Sequence, residues 1–149
     1  MKKILVSACL YGEACRYDGK VCPCEEETFL RWKAEGRLVP VCPERDGGLP
    51  IPRDPCEIRG GRVVTKDGKD RTAAYEKGAR IALETAKEND IAFGVLNSKS
   101  PSCGTGRIYD GTFTRTLING DGVAAAMLKD AGYAVYDETE IGQIEKAES

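Results

Sequence analysis

Lys3-Ile-Leu-Val-Ser-Ala-Cys9 is a short apolar run that narrows to small residues and stops at a cysteine. It is too short for a buried helix and rich in aliphatic side chains, so residues 3–8 read as a buried first strand. With Met1-Lys2-Lys3 before it, the run superficially resembles a lipoprotein cleavage site. It falls short of the roughly 7–15 apolar residues of a secretory segment, so a cytoplasmic protein is expected. The same pattern recurs downstream. Leu38-Val39-Pro40-Val41 leads straight into Cys42, and the strand-like Ile91-Ala-Phe-Gly-Val-Leu96 is followed by the loop Lys99-Ser-Pro-Ser-Cys103-Gly104. Three times, a strand is followed within a few residues by a cysteine.

The intervening segments set the fold class. Residues 25–35 open with acids, carry Phe29, Leu30 and Trp32 and stop at Gly36, as an amphipathic helix does. Residues 71–89 have apolar or small residues at 74, 75, 78, 79, 82, 83 and 86, a second helix. Residues 122–131 form a third, and Tyr133–Tyr136 a last strand before a polar tail. Residues 43–56 hold four prolines and two glycines and read as a rigid loop. Ile58–Lys66, around Gly60-Gly61, reads as a small β-hairpin insertion. Strands alternating with helices predict one three-layer, Rossmann-like α/β domain over residues 1–149, with a mainly parallel sheet and a core from about 3 to 136.

Composition removes whole classes of function. The 149 residues are 41% hydrophobic and 31% charged with net charge −2, a globular balance that offers no basic footprint for DNA or anionic membrane. No apolar run approaches the roughly 20 residues of a transmembrane helix. There is no histidine, which excludes Ser-His-Asp triads, Cys-His pairs and His-ligated zinc. There are seven cysteines, an odd number that cannot close a complete set of intrachain disulfides. In a reducing compartment such cysteines point to metal or catalysis.

In parallel sheets, ligands collect outside the carboxyl ends of the strands. Cys9, Cys42 and Cys103 all fall at that end, which makes them candidates for one site. Structural zinc takes four ligands, usually in C-x-x-C pairs, and no C-x-x-C is present; Cys22-Pro-Cys24 is C-x-C. Soft thiolates also select iron–sulfur clusters. From the residues alone, a three-thiolate cluster stands ahead of a zinc-stabilised structural domain, with both open.

A set of motifs in fixed order narrows this further. Val6-Ser-Ala-Cys-Leu10, Cys15-Arg-Tyr-Asp-Gly19, Pro40-Val-Cys-Pro-Glu44, Gly47-Gly-Leu-Pro50, Ser100-Pro-Ser-Cys-Gly104, Ile108-Tyr-Asp-Gly-Thr-Phe113 and Gly120-Asp-Gly-Val123 follow one another through nearly the whole chain. In this the sequence resembles the DUF523 family, which includes the thiouracil desulfidases. The resemblance implies an oxygen-sensitive [4Fe–4S] enzyme that takes sulfur from a thiolated nucleobase without net redox change. It places Cys9, Cys42 and Cys103 as the cluster-binding cysteines, with one iron open to the substrate's sulfur. Glu44 and Ser100 match the polar residues associated with catalysis, Glu44 as the base that handles the protons of an attacking water. A small thio-heterocycle is the implied substrate, and the iron–sulfur assembly machinery the implied partner.

Plainer readings stand beside these roles. Glu44 can pair with Arg53 or cap a turn, and Ser100 can bond the loop backbone, a role that is the first choice for Ser102. Arg16-Tyr17-Asp18 is either a substrate-reading loop or a turn closed by Gly19. Tyr109-Asp110-Gly111 looks like a turn after a strand. Gly47-Gly48 can aim backbone N–H groups at substrate or sulfide. Arg45-Asp46 departs from the apolar pattern expected after Cys-Pro-Glu, which leaves the thio-compound open. Cys22, Cys24 and Cys56 read as additions lying in loops away from the three strand ends. They are dispensable, form a second metal site with Cys15, or, for Cys56, act as a buried apolar residue. The competing function is an iron–sulfur sensing module.

Overall fold

A computed structural model describes residues 2–21 and 23–148. In chain order the elements are β1 (Lys3–Ser7), α1 (Ala8–Tyr11), α2 (Glu27–Ala34), β2 (Leu38–Val41), α3 (Pro43–Asp46), β3 (Cys56–Arg59) and β4 (Arg62–Thr65). They continue with α4 (Thr72–Glu88), β5 (Ile91–Leu96), β6 (Arg107–Tyr109), β7 (Leu117–Asn119), α5 (Val123–Asp130), β8 (Ala134–Asp137) and α6 (Ile141–Glu148). The central sheet has the order β2-β1-β5-β8 and every pairing in it is parallel. This is the mixed α/β architecture expected from the strand and helix pattern.

Alternation along β1 explains the layers. Ile4 and Val6 face one side, where Phe29 and Trp32 of α2 pack with Phe93, Ile141 and Ile144. Leu5 faces the other side, against Ala82 and Ala86 of α4 and Ala125 and Leu128 of α5. Burying a side chain such as Phe29 is worth about 1.5–3 kcal/mol. Trp32 and Phe93 meet edge to face at 5.9 Å, which orients α2 on the sheet. Small alanines on α4 and α5 let those helices lie close to the strands.

Three regions differ from the sequence reading. Residues 43–46 form a helical turn within the proline-rich segment, because Pro43 sits at the first helical position, where its missing N–H is no loss. The tail after Tyr136 is a 3-10 turn, closed by a capping box at Asp137, followed by α6. Ile141 and Ile144 of α6 are buried in the core, so the ordered core extends past residue 136. A second antiparallel hairpin, β6–β7, joins the expected one, β3–β4.

The chain passes from β1 to β2 on one side, then crosses to β5 on the other. A crevice therefore opens between β1 and β5 at their carboxyl ends, where the strand order reverses.

Candidate active site

Three strand ends meet at that crevice. Cys9 lies in α1, directly after β1. Cys42 is the N-cap of α3, directly after β2. Cys103 lies on the loop that follows β5. All three are buried and line one cavity of about 530 Å³ together with Glu44 and Ser100. The structure thus places Cys9, Cys42, Cys103, Glu44 and Ser100 around one cavity.

Local contacts hold each one in place. Ser7 Oγ accepts the Asn97 N–H at 2.8 Å, tying the ends of β1 and β5 together. Asp46 receives the N–H of Cys42 at 3.3 Å and closes the α3 turn. The loop carrying Cys103 is held by the N-terminus of α5. Val123 N–H donates to Pro101 O and Ala124 N–H to Ser102 O, each at 2.8 Å. Unpaired N–H groups at a helix start are ready donors for such a loop. Gly122 is required there, since a Cβ would lie 2.5 Å from the Ser102 carbonyl carbon. This accounts for the Gly120-Asp-Gly-Val123 motif.

Glu44 has two differently employed oxygens. Oε2 accepts from Arg53 at 3.0 Å (Nε) and 2.5 Å (Nη2), and the Arg53 side chain is 6% exposed. Arg53 also donates to Cys15 O at 2.9 Å. Oε1 faces the serines, with Ser102 Oγ at 3.2 Å and Ser100 Oγ at 3.5 Å. Pairing with Arg53 and a chemical role are therefore compatible. Ser100 Oγ accepts the N–H groups of Ser102 and Cys103, both at 3.2 Å. Ser102 Oγ lies between Glu44 and Cys103 Sγ, 3.5 Å from the sulfur, and its single proton can serve one of them at a time. The loop-bonding role expected first of Ser102 is thus filled by Ser100, whereas the Ser102 hydroxyl contacts side chains and is nearer the carboxylate. Its residue type and position gave no sign of that; the contact depends on α3 packing beside the loop.

Two further cysteines line the cavity. Cys15 is in hydrogen-bond contact with the thiols of Cys42 and Cys9, and its carbonyl accepts from Cys42 Sγ at 3.8 Å. Cys56, expected in a loop away from the strand ends, instead begins β3 and faces the same cavity, because the β3–β4 hairpin folds back over it. Cys24 packs against the core beside α1, and Cys22 lies outside the described residues.

Burial and thiol–thiol hydrogen bonding favour the neutral forms of Cys15, Cys42 and Cys103. The hydrogen bond with Cys15, then burial, push Cys42 well above the ordinary thiol value. Burial pushes Cys103 up to about 12. The hydrogen bond from Cys42 lowers Cys15, but the one to Cys9 and burial raise it to about 11. Metal binding exchanges such protons for a cation. A buried, all-sulfur donor set without histidine fits an iron–sulfur cluster. Among the described residues, no group of three or more Cys, Asp or Glu side chains is placed to hold a metal ion.

The remaining expectations resolve locally. Gly47 and Gly48 use their N–H groups inside the α3 turn, and a Cβ on Gly47 would lie 2.1 Å from Ala74 O. Gly47 therefore serves close packing on α4; its N–H does not reach toward substrate. Arg45 pairs with Glu13 at 2.8 Å. The Gly19 N–H donates to Arg16 O and closes the turn, and Arg16 and Tyr17 of that turn line the cavity.

Known proteins share this sequence pattern and this fold. The family model for 2-thiouracil desulfurase matches residues 4–140. The uncharacterized protein YbbK of Bacillus subtilis (strain 168) is 43% identical over 151 residues, covering 95% of this chain and 99% of YbbK. The solved structure of the [4Fe–4S]-dependent thiouracil desulfidase TudS superposes with a TM-score of 0.95 at 41% identity, over 99% of this chain and 97% of that one. With a family match that spans nearly the whole sequence, this chain belongs to the 2-thiouracil desulfurase family.

Proposed function

We propose that the protein is a cytoplasmic, non-redox desulfidase that converts a thiolated nucleobase such as thiouracil and water into the oxo-base and hydrogen sulfide. Cys9, Cys42 and Cys103 would hold a [4Fe–4S] cluster, delivered by the iron–sulfur assembly machinery. Bound by three thiolates, the cluster supplies a soft Lewis-acidic iron for a thiocarbonyl sulfur. Supporting the reading are the matches to the desulfurase family and to TudS. The observation that carries it is the division of labour at Glu44, with one oxygen locked on Arg53 and the other turned toward the serines beside Cys103.

The chain's own groups then supply the proton work. Glu44 Oε1 accepts a proton from the water that adds to the thiocarbonyl carbon. The added hydroxyl then gives up its remaining proton, in turn to Glu44, as the carbon–sulfur bond breaks and the new carbonyl forms. The hydroxyls of Ser100 and Ser102 return protons from Glu44 toward the departing sulfur, and no electron changes hands. Arg53 keeps the carboxylate from rotating between these steps. A positioned acid–base group of this kind contributes about 100- to 10,000-fold in rate. No helix among the described residues is long and apolar enough to cross a membrane, in keeping with a small-molecule substrate met in solution.

Anaerobic reconstitution with iron and sulfide, followed by incubation with thiouracil, tests the proposal. Uracil and sulfide should appear in equal amounts with no electron donor or acceptor added. A fully loaded protein that leaves thiouracil intact would overturn it.

A further inference from the structure

The chain has three phenylalanines. Phe29 and Phe93 lie in the core, as a phenylalanine ordinarily does. Phe113 is half-buried, packs into none of the three core clusters among the described residues, and lines the catalytic cavity. It sits on the loop between β6 and β7, in the sequence Thr112-Phe-Thr-Arg-Thr116. Thr112, Thr114 and Thr116 are exposed and share hydroxyl contacts at 2.6 and 2.8 Å along the outer side. The alternate residues, Phe113 and Arg115, are the ones that line the cavity.

The backbone is strained to achieve this. Phe113 and Arg115 both have φ of 60°, a left-handed conformation that bulky side chains avoid. Of the four non-glycine residues with positive φ among the described residues, three (Lys99, Phe113 and Arg115) line this cavity. Such strain persists where surrounding contacts over-determine the backbone, and it gathers at functional sites.

The β3–β4 hairpin supplies those contacts. Glu57 Oε1 accepts the N–H groups of Gly111 at 3.0 Å and Phe113 at 3.1 Å. Arg59 donates to Gly111 O from Nε at 2.9 Å and from Nη2 at 2.6 Å. Gly111, with φ of 92°, sits so tightly on the hairpin that a Cβ would lie 2.7 Å from Arg59 Cβ. Four hydrogen bonds thus hold an aromatic ring at the cavity instead of in the core.

We infer that Phe113 is a specificity-determining residue, its ring the platform on which the planar thiolated heterocycle stacks. The hairpin is the brace that keeps the ring in place. This rests on the desulfidase reading above. It assigns recognition of the ring to Phe113, apart from the groups that handle sulfur and protons.

The test is a titration of anaerobically loaded protein with uracil, the unreactive oxo-base, beside steady-state turnover of thiouracil. Phe113→Ala should raise the Kd for uracil and the KM for thiouracil about 5- to 150-fold, the range expected from losing one base–aromatic stack. Iron per chain and kcat should stay within about twofold, because no proton-transfer group is touched. Phe113→Tyr keeps the ring and the fold and should bind within about threefold of the wild type. Unchanged Kd and KM in Phe113→Ala would overturn the assignment. So would Phe113→Tyr binding as weakly as Phe113→Ala, which would show that loop shape matters and the ring face does not. Wild-type protein that binds uracil but never converts thiouracil would refute the desulfidase reading alone, whereas failure to bind either base would overturn both.

Discussion

Replacing Gly78 by alanine probes the contact that positions Cys42 and Glu44. Gly78 lies inside α4, where alanine is intrinsically the better residue by about 1 kcal/mol. A Cβ there, however, would lie 1.7 Å from Pro43 O and 2.5 Å from Pro43 C, half to three-quarters of the 3.4 Å at which ordinary contact begins. Both atoms are backbone, and Pro43 O already receives the Gly47 N–H at 2.9 Å, so no flexible side chain can give way. Overpacking typically costs about 1–3 kcal/mol, and backbone displacement puts this case at the upper end. The helix preference offsets about one of those, leaving a net loss of roughly 2 kcal/mol. For a chain of this size that lowers Tm by about 4–8 °C. The residue pushed aside stands between Cys42 and Glu44, and misplacement by about 1 Å costs on the order of 100-fold in rate. Thermal melting and thiouracil turnover of anaerobically prepared protein measure both effects. A variant that melts at or above the wild-type temperature and turns over normally would refute the close approach of α4 to α3.

Glu44→Gln should keep its iron but lose at least about 100-fold in turnover, whereas Cys103→Ser should lose iron and activity together; iron analysis beside uracil formation separates them. Asp70 accepts the Thr72 N–H, which with Thr72 Oγ and Arg62 holds its carboxyl down to about 2. Its charge therefore stabilises the fold above the unfolded carboxylate value of about 3.9 and ceases to do so as pH falls through about 2. Urea midpoints of wild type and Asp70→Asn should accordingly differ at neutral pH and converge between about pH 4 and 2; a gap independent of pH would exclude the ionic contribution. Ile144→Ala, in the segment that looked like a polar tail, should destabilise by about 2–5 kcal/mol in urea unfolding, and no change would mean that α6 does not seal the core.

Local patterns along the chain specify the central sheet and the cysteines at its carboxyl end. β1, β2, β5 and α4 were legible because their apolar residues follow local periods, and local periods survive in a linear string. The strand-then-cysteine pattern placed Cys9, Cys42 and Cys103 at one end of a parallel sheet, and the Cys-Pro-Glu motif brought Glu44 in beside Cys42. Short or sparsely apolar elements were not legible. β6 and β7 are three residues each, too few to show alternation. The described side chains of α6 show a core face of two isoleucines, Ile141 and Ile144, among polar neighbours. Tertiary structure alone decided what surrounds the three cysteines. Arg53 reaches Glu44 across nine residues, Ser102 reaches it across fifty-eight, and Glu57 reaches Phe113 across fifty-six. Cys15 and Cys56 join the cavity by the folding of a loop and a hairpin over the strand ends. Such contacts depend on where separate elements pack in space, and no periodicity along the chain encodes that.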